Sequence, residues 1–159
     1  MVEVKRIPEF KVAYIRHFGE YGMEGTLRTL TRLLRWGRSR GLLETSQVLG
    51  IPWNDPRVTP AQECCYDACL TVPIDFESDH PIIATQVLPA STYLVRTCRC
   101  TAGDLETPWQ EFLAWYNESP WDMTGQACFE VYTENSFEDE TLNWSLQLHI
   151  PVVTRKPAP

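Results

Sequence analysis

The sequence predicts an α+β fold: two strand–helix–strand–strand modules in tandem, forming a pseudo-symmetric antiparallel sheet with two helices on one face and a ligand groove on the other. Three observations predict it. The same order of elements reads twice along the chain. The closing strands Ala68-Cys69-Leu70-Thr71-Val72-Pro73 and Leu146-Gln147-Leu148-His149-Ile150-Pro151 run alike with the proline in step. Each half carries one amphipathic helical stripe. Residues 1–159 are read as a single domain with an internal repeat at about 1–85 and 86–153.

In the first half a strand is expected over Phe10 to Phe18, then a helix from about Met23 to Arg40. Met23, Leu27, Leu30 and Leu34 fall on one stripe, while Arg28, Arg32, Arg35 and Arg38 mark a solvated face. Gly37 and Gly41 suit the fraying end of that helix. Strands follow over Gln47 to Trp53 and Glu63 to Val72. In the second half a strand spans Thr92 to Thr101. Thr107-Pro108-Trp109-Gln110 opens a helix as N-cap, first-turn proline and capping-box glutamine, running over Pro108 to Asn117. Trp109, Phe112, Leu113 and Tyr116 form its buried stripe. Two strands close the chain, Cys128 to Thr133 and Leu142 to Val152. Loops are expected at Pro52 to Pro56, Pro73 to Pro81 and the acidic stretch Glu134 to Glu140, with a disordered tail from Arg155.

The chain has 159 residues, 43% of them hydrophobic, enough for one real core. No run reaches a membrane span, and the start lacks a signal peptide, so a cytoplasmic protein with no membrane partner is expected. Formal charge is -7, with 10 basic and 6 acidic residues over 1–60 against 4 and 15 over 61–159. That balance argues against direct nucleic-acid binding and suits a cationic small molecule or a basic protein surface. The cysteines at 64, 65, 69, 98, 100 and 128 form no Cys-x-x-Cys pair and read as buried reduced thiols. No phosphate loop, metal motif or nucleophilic triad is present, so no cofactor or metal is called for.

Within Ala127-Cys128-Phe129-Glu130-Val131-Tyr132, strand alternation sends Cys128, Glu130 and Tyr132 one way and Phe129 and Val131 the other. If Phe129 and Val131 pack on helices, Glu130 looks into the opposite, helix-free groove. A buried carboxylate needs a partner, a proton or a charged ligand. The repeat sets Trp53 opposite Tyr132, Ile51 opposite Glu130, and Tyr66 in correspondence with Trp144. Tyr93 and Trp109 complete the candidate aromatic set. Rings of this kind can clamp a flat cation by cation–π attraction. Arg16, Arg96 and Arg99 are candidate partners should the ligand be neutral or anionic.

Gly103-Asp104-Leu105-Glu106-Thr107-Pro108-Trp109-Gln110-Glu111-Phe112 and the Glu130 strand closely resemble the GyrI-like family, which includes the DNA gyrase inhibitory protein. Val12-Ala13-Tyr14-Ile15-Arg16-His17-Phe18-Gly19, Asn54-Asp55-Pro56 and Tyr66-Asp67-Ala68-Cys69-Leu70-Thr71-Val72-Pro73 extend the resemblance along the chain. Relatives often carry arginine where this chain has Cys65. The resemblance implies a groove similar to the effector-binding domains of BmrR and Rob, in a form with no helix-turn-helix ahead of it. It implies Glu130 as the carboxylate that meets a cationic amphipathic ligand among aromatic rings. Two other roles follow from it: inhibition of DNA gyrase by protein contact, and hydrolysis of cyclopropane-bearing toxins. In the latter Glu130 would act as general base, with Tyr132 or Tyr93 as hydrogen-bond donor.

Overall fold

The computed structural model describes residues 1–101, 104–133 and 143–154. Its strands are β1 (Val2–Ile7), β2 (Phe10–Phe18), β3 (Val48–Pro52), β4 (Cys65–Val72), β5 (Ala84–Leu88), β6 (Ser91–Thr101), β7 (Trp121–Met123), β8 (Phe129–Thr133) and β9 (Asn143–Thr154). Helix α1 (Arg28–Ser39) follows a π-helical turn at Met23–Leu27, and α2 is Glu106–Asn117. The acidic stretch 134–140 and the tail from 155 lie outside the described residues. No helix among those described is long and apolar enough to cross a membrane.

All strands belong to one antiparallel sheet in the order β1-β6-β9-β8-β3-β4-β2-β5, with β7 added to β9. The two halves meet at β3 and β8, where Val48, Leu49 and Gly50 pair with Tyr132, Val131 and Glu130. They also exchange their edges. β1 precedes β2 in sequence but pairs with β6, while β5 precedes β6 but pairs with β2. This is the expected pseudo-symmetric plan with an extra outer strand on each side. β1 escaped the sequence reading because, as an outermost strand, it buries little and carries a weak apolar period.

Both helices lie on the same face, as expected. Under them Ala13, Ile15, Leu70, Leu94, Leu146, Leu148 and Ile150 pack against Leu30, Leu33 and Leu34 of α1 and Phe112 of α2. Gly37 is a helical residue rather than part of a fraying end. A Cβ there would collide with the side chains of Leu70 and Leu43, so glycine lets α1 settle closely on β4. The cap of α2 also differs from the expectation. The helix begins at Glu106, Thr107 lies inside it, and Asp104 Oδ1 accepts the Thr107 N–H at 3.2 Å. Asp104, three residues earlier, takes the orphan donor, leaving Thr107 no capping role.

The helix-free face has a core of its own, built from Val12, Leu49, Ile51, Cys69, Tyr93, Val95, Phe129 and Val131. Phe10 of β2 meets Phe129 of β8 with ring centroids 5.8 Å apart, although β4 and β3 lie between those strands. The sheet must therefore curl so that this face closes on itself. His149 stacks on Phe129 at 4.4 Å in the same core, and burial lowers its pKa to about 4, so it packs as a neutral ring.

Candidate functional site

The alternation predicted for β8 is correct, but the face assigned to Glu130 is not. Phe129 and Val131 fill the curled core, so Glu130 and Tyr132 point toward the helices. There Glu130 is 2% exposed, beneath α2. Trp109 of α2 donates its Nε1–H to Glu130 Oε2 at 2.8 Å, and Tyr132 donates its hydroxyl to Oε1 at 2.8 Å. Tyr66 of β4 reaches across β3 so that its Oη stands 2.6 Å from that of Tyr132. Among the described residues no cation contacts the carboxylate.

Gly50 makes this reach possible. It lies beside Glu130 in β8 and Ala68 in β4, and a Cβ on it would overlap the hydroxyl end of Tyr66. With only a hydrogen there, the Tyr66 ring can lie flat across the central strand. Trp144 of β9 packs edge-on to Tyr132 at 5.1 Å. Tyr21, in the loop ahead of α1, packs edge-on to Tyr66 at 6.2 Å and donates to the Cys65 carbonyl at 2.6 Å. Burial pushes the Glu130 carboxyl above the usual carboxylate range, while the hydrogen bonds from Trp109 and Tyr132 pull it partly back. Burial also drives the hydroxyls of Tyr66 and Tyr132 well above ordinary phenol values, and the nearby Glu130 charge adds to both shifts.

Of the eight residues expected at the site, five converge: Glu130, Tyr132, Tyr66, Trp109 and Trp144. Three do not. Ile51, Trp53 and Tyr93 belong to the opposite face. Ile51 and Tyr93 are buried in the curled core, Tyr93 edge-on to Phe129 at 5.1 Å. Trp53 is 42% exposed and donates to Asp67 Oδ2 at 2.8 Å. The repeat gives β3 the wrong parity against β8. Gly50, and not Ile51, is the neighbour of Glu130, and Val48 that of Tyr132. A shift of one residue on a strand exchanges every side chain between faces. Tyr93 is therefore out of reach as a donor to chemistry at Glu130.

Two of the candidate arginines engage other carboxylates. Arg16 grips the wholly buried Asp67 through two hydrogen bonds of 2.8 and 2.9 Å on the helix-free face. Arg96 stands 4.0 Å from Glu111 of α2. Cys98 and Cys100 share the helix-covered face with Glu130, whose charge adds to the burial that raises both thiols. Sequence reasoning missed Tyr21, Gly50 and these two cysteines as site neighbours. For the cysteines the signal was available, since their strand parity matches Arg96 and Leu94. Tyr21 lies in a loop, where no periodicity marks a face.

Among the described residues the arrangement is a carboxyl group with no counter-ion, set among the rings of Tyr66, Tyr132, Trp144 and Tyr21 and covered by Trp109. The sequence model of the GyrI-like small molecule binding domain matches residues 1–153. The DNA gyrase inhibitor of Escherichia coli strain K12 is 28% identical over 125 residues, covering 76% of this chain and 77% of that protein. The C-terminal domain of EcmrR aligns over 97% of this chain and 98% of its own, with a TM-score of 0.72 at 15% identity. SAV2435 bound to tetraphenylphosphonium aligns over 96% and 94%, with a TM-score of 0.54 at 12% identity.

Proposed function

Because the chain belongs to the GyrI-like small-molecule-binding family, we propose that it binds amphipathic aromatic ligands carrying a positive charge, with Glu130 as their counter-ion. The observation that carries this reading is a carboxylate 2% exposed whose two hydrogen-bond partners, Trp109 and Tyr132, are both neutral. A charge so placed costs several kcal/mol of desolvation unless a cation or a proton meets it. Tyr66, Tyr132, Trp144 and Trp109 supply the aromatic surfaces that favour a cation over a neutral ligand of the same shape.

Entry runs past Trp109. Only Phe112 of the twelve residues of α2 is buried, against six of twelve on α1, so α2 is the lightly anchored helix. Outward movement of its first turn withdraws the indole from Glu130 and exposes both a carboxylate oxygen and the ring faces. The ligand replaces one neutral donor by a full charge, and that difference in affinity drives the opening. The phosphonium ligand of the similarly folded SAV2435 supports the ligand class.

Tetraphenylphosphonium and tetraphenylborate, ions of matching shape and opposite charge, test the proposal. Titration followed by tryptophan fluorescence should give saturable quenching with the phosphonium and at least about tenfold weaker binding of the borate. Equal binding, or preference for the borate, would remove Glu130 as the recognition element.

A second reading rests on the gyrase inhibitors among the relatives: contact with DNA gyrase as a protein partner. The acidic side of the chain would then face a basic protein surface. Co-purification with gyrase at low salt that fades as salt rises is the expected result, and its absence at low salt would dismiss this partner.

A further inference from the structure

Tyr66, Tyr132 and Glu130 form a linear chain of oxygen atoms, with spacings of 2.6 and 2.8 Å, ending at a carboxylate. A phenol hydroxyl both donates and accepts, so the hydrogens of this chain can run in either direction. With Glu130 ionised, Tyr66 donates to Tyr132 and Tyr132 donates to Oε1. With Glu130 protonated on Oε1, the carboxyl donates to Tyr132 and Tyr132 donates to Tyr66. Trp109 can only donate, and it serves Oε2 in both cases. Every group in the chain stays bonded in either state, and no heavy atom need move between them.

We infer that a cationic ligand enters this site in exchange for one proton, which the closed site holds on Glu130 through the Tyr132–Tyr66 chain. The inference rests on the reading of Glu130 as the cation's counter-ion. The step balances as a neutral Glu130 carboxyl plus a cation giving a carboxylate–cation pair and a proton passed to water. Burial disfavours a lone carboxylate, and the arriving charge reverses that preference.

The surrounding groups leave Glu130 as the one that exchanges. Tyr66 faces it from β4, Tyr132 from its own strand, Cys98 and Cys100 from β6, and Tyr21 from the loop before α1. All are phenols or thiols that burial keeps protonated at neutral pH. On α2, Trp109 does not titrate, and Glu111 lies by Arg96.

Calorimetry with tetraphenylphosphonium, whose charge is independent of pH, tests the exchange on the wild-type chain. In two buffers of different ionisation enthalpy the binding heat should differ, reporting proton release. Between about pH 5 and pH 8.5 the Kd should fall by about tenfold per pH unit at the acid end and then level off. Binding with equal heats in both buffers and a flat Kd would overturn the exchange while leaving the cation site standing. No binding at any pH would overturn both. Tyr66→Phe supplies a sharper outcome. In the protonated state Tyr132 then has no acceptor for its hydrogen, whereas in the ionised state it still donates to Glu130. The levelling point should therefore move to lower pH, so the variant binds the cation more tightly than wild type at the acid end. An unmoved levelling point would overturn the role of the chain.

Discussion

Glu130→Gln is expected to weaken tetraphenylphosphonium binding about a hundredfold or more while leaving the protein no less stable than wild type near neutral pH. The loss follows from removing the single charge that meets the ligand in a dry site, where a paired charge contributes about 3 kcal/mol. The retained stability follows from the hydrogen-bond chain. A glutamine can accept the Trp109 N–H through its oxygen and donate its amide to Tyr132, which then donates to Tyr66. This reproduces the protonated arrangement along the chain and leaves only the second amide hydrogen to find an acceptor of its own.

The sign of the pH effect agrees. Burial raises the folded-state pKa of Glu130 above its unfolded value, so between those two values the folded chain holds more protons than the unfolded one. Its stability contribution therefore falls as pH rises through that window, and a penalty persists above it. Glutamine removes the penalty. Chemical denaturation of the two proteins near pH 7, beside the phosphonium titration, checks both halves. A variant that binds normally would end the counter-ion role. One that unfolds would show that the carboxylate holds the fold together.

Gly50→Ala should cost about 2–4 kcal/mol, the sum of overpacking and one lost buried hydrogen bond. The added methyl group would occupy the position of the Tyr66 ring end, and Tyr66 is 2% exposed. The ring must swing away, breaking its link to Tyr132 and disturbing the wall beside Glu130. In a chain of this size such a loss lowers Tm by roughly 5–15 °C. The same substitution placed on Tyr66→Ala should cost far less, because the collision partner is gone. Equal costs in the two backgrounds would rule out this explanation of the glycine.

Much of this was open to sequence reasoning. The expected elements all appear, because strands β2, β4, β6 and β9 and helix α1 carry strong apolar periods. The separation of Glu130 and Tyr132 from Phe129 and Val131 was equally legible, because it depends only on the two-residue period of a strand. What the period cannot do is label the two faces. Both are apolar here, one under the helices and one inside the curl, so nothing in the β8 run distinguishes them.

The convergence on Glu130 was beyond local pattern. Trp109 is separated from it by 21 residues and Tyr132 from Tyr66 by 66. The internal repeat came nearest to relating such distant segments, but with the parity of β3 misjudged by one residue, Ile51 and Trp53 were carried to the wrong side. The sequence by itself determined the elements, their repeated order and the presence of one carboxylate within the apolar β8 run, since backbone periodicity acts locally. The tertiary structure alone decided that helix α2 covers that carboxylate, that Gly50 opens the path for Tyr66, and that the helix-free face closes into a second core. Those depend on how the strands are ordered and how far the sheet bends, properties set by packing across the whole molecule.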